Sequence, residues 1–552
     1  MLTVLAMAVA LAASPTPPEP ADLVLVSARI WTGDPKNPEA EALAVRGGRI
    51  VAVGSDKEIA AFKGAKTAVL DGKWRRVVPG FIDCHTHMTS GGFDLLAIDL
   101  RDSKSPADFT REVAAYAKTK PAGQWLTDGT WDHTQWTPPE LPNKSMLDGV
   151  TGDRPTCISR LDGHMILCNS VALKAAGITA ATPDPPGGVV VKDAHGEPTG
   201  ILKDGAMELI DKVRPPRTVA EMTAAAEAAM KNAARFGVTS VQDLPGGTED
   251  LPVWDALRSS GRMIVRVNSR PGIALWEEVK KLQSSMKQDD WLRVGGVKGF
   301  MDGSLGSGTA LMFEGFTDEP GNKGVYAPGA IPLSKMEERI LAADKAGLQV
   351  EVHAIGDRAN AEILDIYARV EKANGPRDRR FRIEHAQHLR PEDCRRFKEV
   401  GVIASMQPYH IIDDGRWAEG RIGSKRCASS YANRSLLDAG AILAFGSDWP
   451  VAPVSAILGI DAAVNRRTLD GKHPGGWFPE QKISAEEALR AYTTGSAFAA
   501  FQEKDRGTLA AGMLADFVVL SRDILDPKNR DQIDKTEVLM TVVGGKIVHE
   551  KK

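Results

Sequence analysis

The stretch VVPGFIDCHTHM, Val77 to Met88, is an apolar run interrupted by Pro79 and Gly80, and it ends on two histidines one residue apart, His85 and His87. In an extended strand, side chains at i and i+2 point to the same side, so the pair can offer two ring nitrogens to one point. A lone His-x-His pair is more often two solvated or hydrogen-bonded rings than a metal site. Its meaning depends on what the rest of the chain brings to the same place.

Working outward, short apolar runs alternate with amphipathic helical patterns, the sequence form of repeated βα units. Eight runs read as strands: VVPGFIDC, VTSVQDL at Val238, MIVRVN near Ile264, LRVGGVKGFMDG, LQVEVHA, FRIEHA, GVIASMQP and AILAFGSD. Between them LSKMEERILAADKAG and RANAEILDIYARVEKANG carry apolar residues near a period of 3.6. The fold class is α/β, and eight βα units predict a closed (β/α)8 TIM-type barrel over residues 77–506. After the first strand comes an insertion at about residues 90–235, far longer than an ordinary βα loop and containing Trp125, Trp131 and Trp136. It reads equally as a lid or pocket wall and as a decoration packed on the barrel.

Both ends of the chain have a different texture. Residues 23–75 read as short strands with a hairpin turn at Gly47-Gly48, and GTLAAGMLADFVVLS and VLMTVVGGKIVHE repeat that pattern with Gly544-Gly545. Neither piece is large enough to be comfortably stable alone. Residues 23–76 and 507–552 are therefore expected to form one composite β-sandwich domain.

Residues 1–22 hold a short apolar run closed by small residues and a proline-rich stretch, the form of a signal peptide and linker. This predicts export to the periplasm or beyond the cell. The run lacks a basic n-region, so a start assigned too far downstream, or a frayed N-terminus on a cytoplasmic protein, is the alternative. Lys+Arg 69 against Asp+Glu 72 gives a net charge of -3, without the basic excess that nucleic acid demands. No later apolar run is long enough for a membrane span. The five cysteines are odd in number and imply no disulfide framework. Cys157 and Cys168 read as two buried thiols or as a bridge, and Cys84 is expected to face away from His85 and His87.

Polar residues then interrupt the apolar strands at or near their C-terminal ends: His85 and His87 in the first, Lys298 in the fourth, His353 in the fifth, His385 in the sixth and Asp448 in the eighth. A parallel barrel gathers those ends at one mouth, so six groups distant in sequence would converge there. Each alone has a bland reading; Asp448, for example, could cap the helix that follows it. Lys298 is the hardest to explain that way, because a buried unpaired ammonium is costly. Burial lowers a lysine pKa, and a neutral amine can add carbon dioxide to form a carbamate that bridges two cations.

With VVPGFIDCHTHM, DGHMILCNS, GEPTGIL, VKGFMDGSLGSGTA, VEVHAIGDRAN, RIEHAQ, SMQPYH, GSDWPV and GTLAAGMLADFVVL in hand, the sequence resembles the amidohydrolase superfamily. Within it the sequence resembles more closely the YtcJ-like, amidohydrolase-3 branch, which includes N-substituted formamide deformylase. The resemblance implies a barrel with a composite β-sandwich and a site for one or two divalent metal ions, zinc by expectation. By matching motifs, His85, His87 and Asp448 would bind the more buried ion, and His353 and His385 the second. Lys298, carboxylated by carbon dioxide, would bridge them.

The implied function is a metal-dependent hydrolase of non-peptide carbon–nitrogen bonds in a small molecule, an amide or N-formyl compound, through metal-activated hydroxide. Asp448 would act as catalytic base and then acid, His410 would contact substrate, and Asp302 would order a loop. Relatives usually carry an arginine where this chain has Gly308, which points to a different or less acidic substrate. The alternatives are a deaminase or cyclic amide or ester hydrolase on the same scaffold, and a non-catalytic binding protein. A homo-oligomer is open to the chain.

Overall fold

The computed structural model describes residues 18–121 and 123–551. The signal and linker assigned to residues 1–22 fall mainly on residues 1–17, outside the described residues. Among the described residues no helix is long and apolar enough to cross a membrane.

Nine parallel strand segments carry the centre: β1 (Phe81–Thr86), β2 (Val238–Asp243), β3 (Arg266–Ser269), β4 (Leu292–Val294), β5 (Gly296–Phe300), β6 (Gln349–Ala354), β7 (Arg382–His385), β8 (Ile403–Met406) and β9 (Ile442–Phe445). They fall on the eight apolar runs of the sequence, with one correction: LRVGGVKGFMDG is two strands. A Cβ on Gly295 would lie 1.9 Å from Asn268 Oδ1, so β3 crowds the chain at that point and the strand breaks there.

The ladders form two sheets, in the orders β4-β3-β2-β1 and β5-β6-β7-β8-β9, so hydrogen bonding does not run continuously around a closed ring. Across the first gap Gly272 bridges Lys298, and across the second Thr86 bridges Trp449, both in parallel sense. Every residue of β1, β2 and β6 is buried, as expected of parallel strands covered on both faces.

Helices pack outside the strands. α1 (Val219–Arg235) opens on a capping box in which Thr218 Oγ1 accepts from the Glu221 amide and Glu221 accepts from the Thr218 amide; it buries Ala226, Met230 and Ala233 along one stripe. α2 (Leu333–Lys345) and α3 (Asp357–Asn374) cover the two periodic stretches read from the sequence, burying Met336 and Ile340 in the first and Ile363, Ile366 and Val370 in the second.

The chain ends pair with each other. Phe517–Leu520 lies antiparallel to Arg76–Pro79 in a six-stranded sheet that also holds Arg29–Trp31 and Val538–Val543. A four-stranded sheet of residues 23–71 faces it through Leu25, Leu43, Val45, Phe517 and Val542. Gly47, Gly48, Gly544 and Gly545 all have positive φ, the backbone a two-residue hairpin turn requires.

The insertion builds a six-stranded sheet of its own, ordered Gly188–Lys192, Pro198–Asp204, Met165–Cys168, Thr156–Arg160, Leu126–Trp131, Asp99–Leu100. One face packs Phe109, Trp131, Trp136 and Leu147. Cys157 and Cys168 are cross-strand neighbours in this sheet, two buried free thiols with sulfurs 2.9 Å apart.

Candidate metal centre and active site

His85 leaves the end of β1 with its Nδ1 2.5 Å from Glu384 Oε2, on β7. That contact directs Nε2 the other way, to within 3.2 Å of Asp448 Oδ1. His87 does the same from a different side: Nδ1 donates to the Leu244 carbonyl at 2.8 Å, and Nε2 lies 3.2 Å from the same Asp448 oxygen. His385 Nδ1 is 4.0 Å from Asp448 Oδ2. The carboxylate therefore sits among three imidazoles from β1, its following turn and β7.

Asp448 does not cap the next helix. That cap is Ser455, whose Oγ accepts from the Leu458 amide. Instead Asp448 holds a left-handed backbone, φ 61°, just past β9, with its amide donating to the His85 carbonyl. Gly446 permits this close approach, because a Cβ there would stand 2.6 Å from the His85 amide nitrogen.

Ligand atoms of His85, His385 and Asp448 lie within 4.8 Å of one another, all buried. Among the described residues His385 Nδ1 and the Nζ of Lys298 have no hydrogen-bond partner, and His85 Nε2 meets only the nearby Asp448 oxygen, outside good hydrogen-bond geometry. Orphaned buried nitrogens converging on a carboxylate fit a divalent cation of the zinc type, for which two or more imidazoles and a carboxylate oxygen are ordinary donors.

His353 stands beside this group, its ring 4.5 Å from that of His385 between centroids. Its Nε2 is engaged by Gly303 O at 3.1 Å and lies 3.4 Å from Asp302 Oδ1, which leaves Nδ1 for a ligand. Asp302 also accepts from the amides of Leu311, Ile355 and Gly356, so it orders the loop and orients His353, as its place in the sequence suggested. Lys298 is buried with its Nζ 4.6 Å from the Phe300 ring centroid. His410, on the short helix Tyr409–Asp414, has an unpartnered Nε2 and a ring 6.4 Å from that of His385.

The electrostatics follow from burial and the mixed charges. Burial opposes ionisation of Asp448, but His85, His87 and His385 override it and hold the carboxyl well below the usual range. Burial and Lys298 oppose a proton on His85, and Asp448 with Glu384 outweigh them, so its pKa rises. Burial, helped by charge at His353, His85 and Lys298, keeps His385 well below its ordinary value and neutral. Burial also lowers Lys298, against the pull of Glu384, Glu351 and Asp448.

These groups open into a cavity of about 850 Å³, within the range of small-molecule sites. The six residues marked in the sequence, with His410, all line it; Cys84 does not, and its sulfur lies 3.1 Å from Ser405 Oγ. Gly308 also lies outside the lining, and a Cβ there would be 2.6 Å from Arg421 Nη2.

Sequence reasoning did not assign Glu384, although two charged residues in the short buried strand RIEH were a signal for it. It also passed over the insertion's contribution, Asp132, Arg160, Asp162 and His164. Arg160 is buried and paired with Asp162 at 2.5 Å and Asp132 at 3.4 Å, so this wall of the cavity carries neutralised charge. Against burial, Asp204, Asp162 and Asp302 raise His164 to about 9.

Known proteins resemble this chain along most of its length. The sequence model of the Amidohydrolase family matches residues 68–549. Protein LONG AFTER FAR-RED 3 of Arabidopsis thaliana is 41% identical over 95% of this chain and 91% of its own. YtcJ of Bacillus subtilis is 33% identical over 95% and 98%, and the N-substituted formamide deformylase of Arthrobacter pascens 27% over 96% and 98%. The crystal structure of an uncharacterized metal-dependent hydrolase from Pyrococcus furiosus is 30% identical with a TM-score of 0.71, covering 91% of this chain and 100% of that one.

Proposed function

This chain belongs to the amidohydrolase family and is a metal-dependent hydrolase; from that premise we propose that it hydrolyses the carbon–nitrogen bond of a small non-peptide amide or N-formyl compound. The observation that carries the reading is the Asp448 carboxylate held against His85, His87 and His385 at the floor of a small-molecule cavity. The deformylase relative's name supports the substrate class. On the fold, we read the two parallel sheets as one (β/α)8 barrel closed through the Gly272–Lys298 and Thr86–Trp449 bridges, with residues 23–76 and 507–552 as a separate unit and residues 1–22 as an export signal.

In this reading His85, His87 and Asp448 would hold one divalent ion, zinc by its donor set; His385, expected from the sequence to serve a second ion with His353, lies close enough to His85 and Asp448 to serve the first as well, and His353 with a carboxylated Lys298 would complete the second. Such an ion supplies a Lewis acid and lowers the pKa of bound water towards about 7.

The chain's own residues do the rest. Glu384 and the Leu244 carbonyl fix the tautomers of His85 and His87, so that both present a lone pair at Nε2. Asp448, ionised at neutral pH, takes a proton as water adds to the carbonyl carbon. It returns that proton to the leaving nitrogen as the C–N bond breaks, giving an acid and an amine. His410 Nε2, unpartnered in the cavity wall, contacts the substrate. The apolar lining, including Phe93, Met207, Ile210 and Trp417, accommodates an apolar substituent.

The test is a panel of formamides, acetamides, lactams, esters and ring-aminated heterocycles assayed with metal-quantified protein. Acid plus substituted amine supports the proposal. Ammonia release from an aminated ring would make the protein a deaminase instead, and no turnover of any member by the metal-loaded protein would overturn the reading.

A further inference from the structure

His164 enters the cavity from the insertion, at the turn between strands Thr156–Arg160 and Met165–Cys168. Its Nδ1 lies 2.7 Å from Asp204 Oδ1, and its amide donates to Asp162 Oδ1 at 3.2 Å. Asp162 in turn accepts from Ser304 Oγ at 2.7 Å, so the turn is tied to the loop after β5. The ring centroid is 5.2 Å from that of His353, and among the described residues no hydrogen bond to Nε2 is formed. With Nδ1 turned to Asp204, the ring's other nitrogen is the one free to meet a ligand.

Asp204 is held in an unusual way. It ends the strand Pro198–Asp204 with φ 46°, a left-handed backbone that costs a non-glycine residue free energy, and its Oδ2 is buried without a partner among the described residues. A chain that keeps a strained, half-satisfied carboxylate against one histidine nitrogen is holding that ring in a set orientation.

We infer that His164 is a substrate-contacting residue of the hydrolytic site and Asp204 its positioning residue, so that the insertion supplies a hydrogen bond to the substrate's polar group next to the scissile bond. The inference rests on the hydrolase reading above. It gives the insertion a part in specificity, beside the parallel strands that supply the expected metal ligands.

The experiment measures binding of benzohydroxamate, a carbonyl-bearing metal-site probe, to zinc-loaded wild type, His164→Ala and Asp204→Asn by calorimetry, with zinc content and melting temperature read on the same samples. The expected result is about 10- to 100-fold weaker binding for His164→Ala, the loss of one hydrogen bond to a polar ligand. Asp204→Asn is expected to lose less, and zinc content and melting temperature are expected to stay at wild-type values. Should His164→Ala fail to fold, His164→Asn is read in its place. Wild-type affinity in the folded His164 variant overturns the inference, as does loss of zinc, which would make the residue a ligand. A zinc-loaded wild type that binds no benzohydroxamate overturns the hydrolase reading and the inference together.

Discussion

Glu384 Oε2 lies 2.5 Å from His85 Nδ1, and that contact decides which nitrogen of His85 faces Asp448. Glu384 is fixed in turn by Arg382 Nε at 2.8 Å and Ser405 Oγ at 2.7 Å. A glutamine keeps the shape and loses the charge that makes the imidazole a stronger ligand. Glu384→Gln is therefore expected to bind zinc about 10- to 100-fold more weakly at unchanged secondary structure. Zinc affinity by competition with a chromophoric chelator checks this; an unchanged affinity would reduce Glu384 to a partner of Arg382.

Metal binding and pH are linked through the same histidine. His85 must lose its proton for Nε2 to bind a cation, and Asp448 with Glu384 raises its pKa above the ordinary value of about 6.5. Raising the pH through and above that range removes the competing proton, so zinc affinity should keep climbing above pH 6.5. Zinc added to metal-free protein near neutral pH should release protons, seen as a buffer-dependent calorimetric heat. A heat independent of the buffer's ionisation enthalpy would contradict it.

Lys298 is buried, its Nζ unpartnered and its pKa lowered by burial, which favours the neutral amine that reacts with carbon dioxide. Protein loaded with zinc in ¹³C-bicarbonate should show a carbamate carbon resonance that Lys298→Ala lacks. Activity lost in Lys298→Ala should return in part with a small carboxylic acid. A wild type without that resonance would leave Lys298 a plain lysine.

Asp243, on β2, is buried and accepts from the Met88 amide at 2.8 Å. Burial, then Asp250, raises its pKa to about 8. The unfolded chain ionises near 3.9, so from about pH 4 to about pH 8 the folded state holds a proton that the unfolded state has released. Stability from this group is thus lost as pH rises through that window, by up to about 1.4 kcal/mol per pH unit. Asp243→Asn removes the titration, so its melting temperature relative to wild type should rise between pH 5 and pH 8 in chelator-treated samples. A constant difference would contradict this.

Much of the fold and site was legible because it rests on local pattern. The strand runs end on His85, His353, His385 and Asp448 whatever surrounds them, and the paired glycines at 47–48 and 544–545 announce hairpins by their conformational freedom. What escaped depends on neighbours distant in sequence. The break at Gly295 comes from Asn268 on another strand, and the insertion's sheet assembles short segments whose pairing no periodicity records. Glu384 and His164 were visible as residues, but their partners, His85 and Asp204, come from 299 and 40 positions away.

The most direct measurement is zinc uptake by chelator-stripped wild type beside His385→Ala and Asp448→Asn, by mass spectrometric metal analysis after gel filtration. The account predicts at least one tightly held ion per wild-type chain, a marked loss in both variants, and restoration of amide hydrolysis in step with uptake in the wild type alone. A wild type that retains no ion, or variants that retain it as firmly as the wild type, would contradict it.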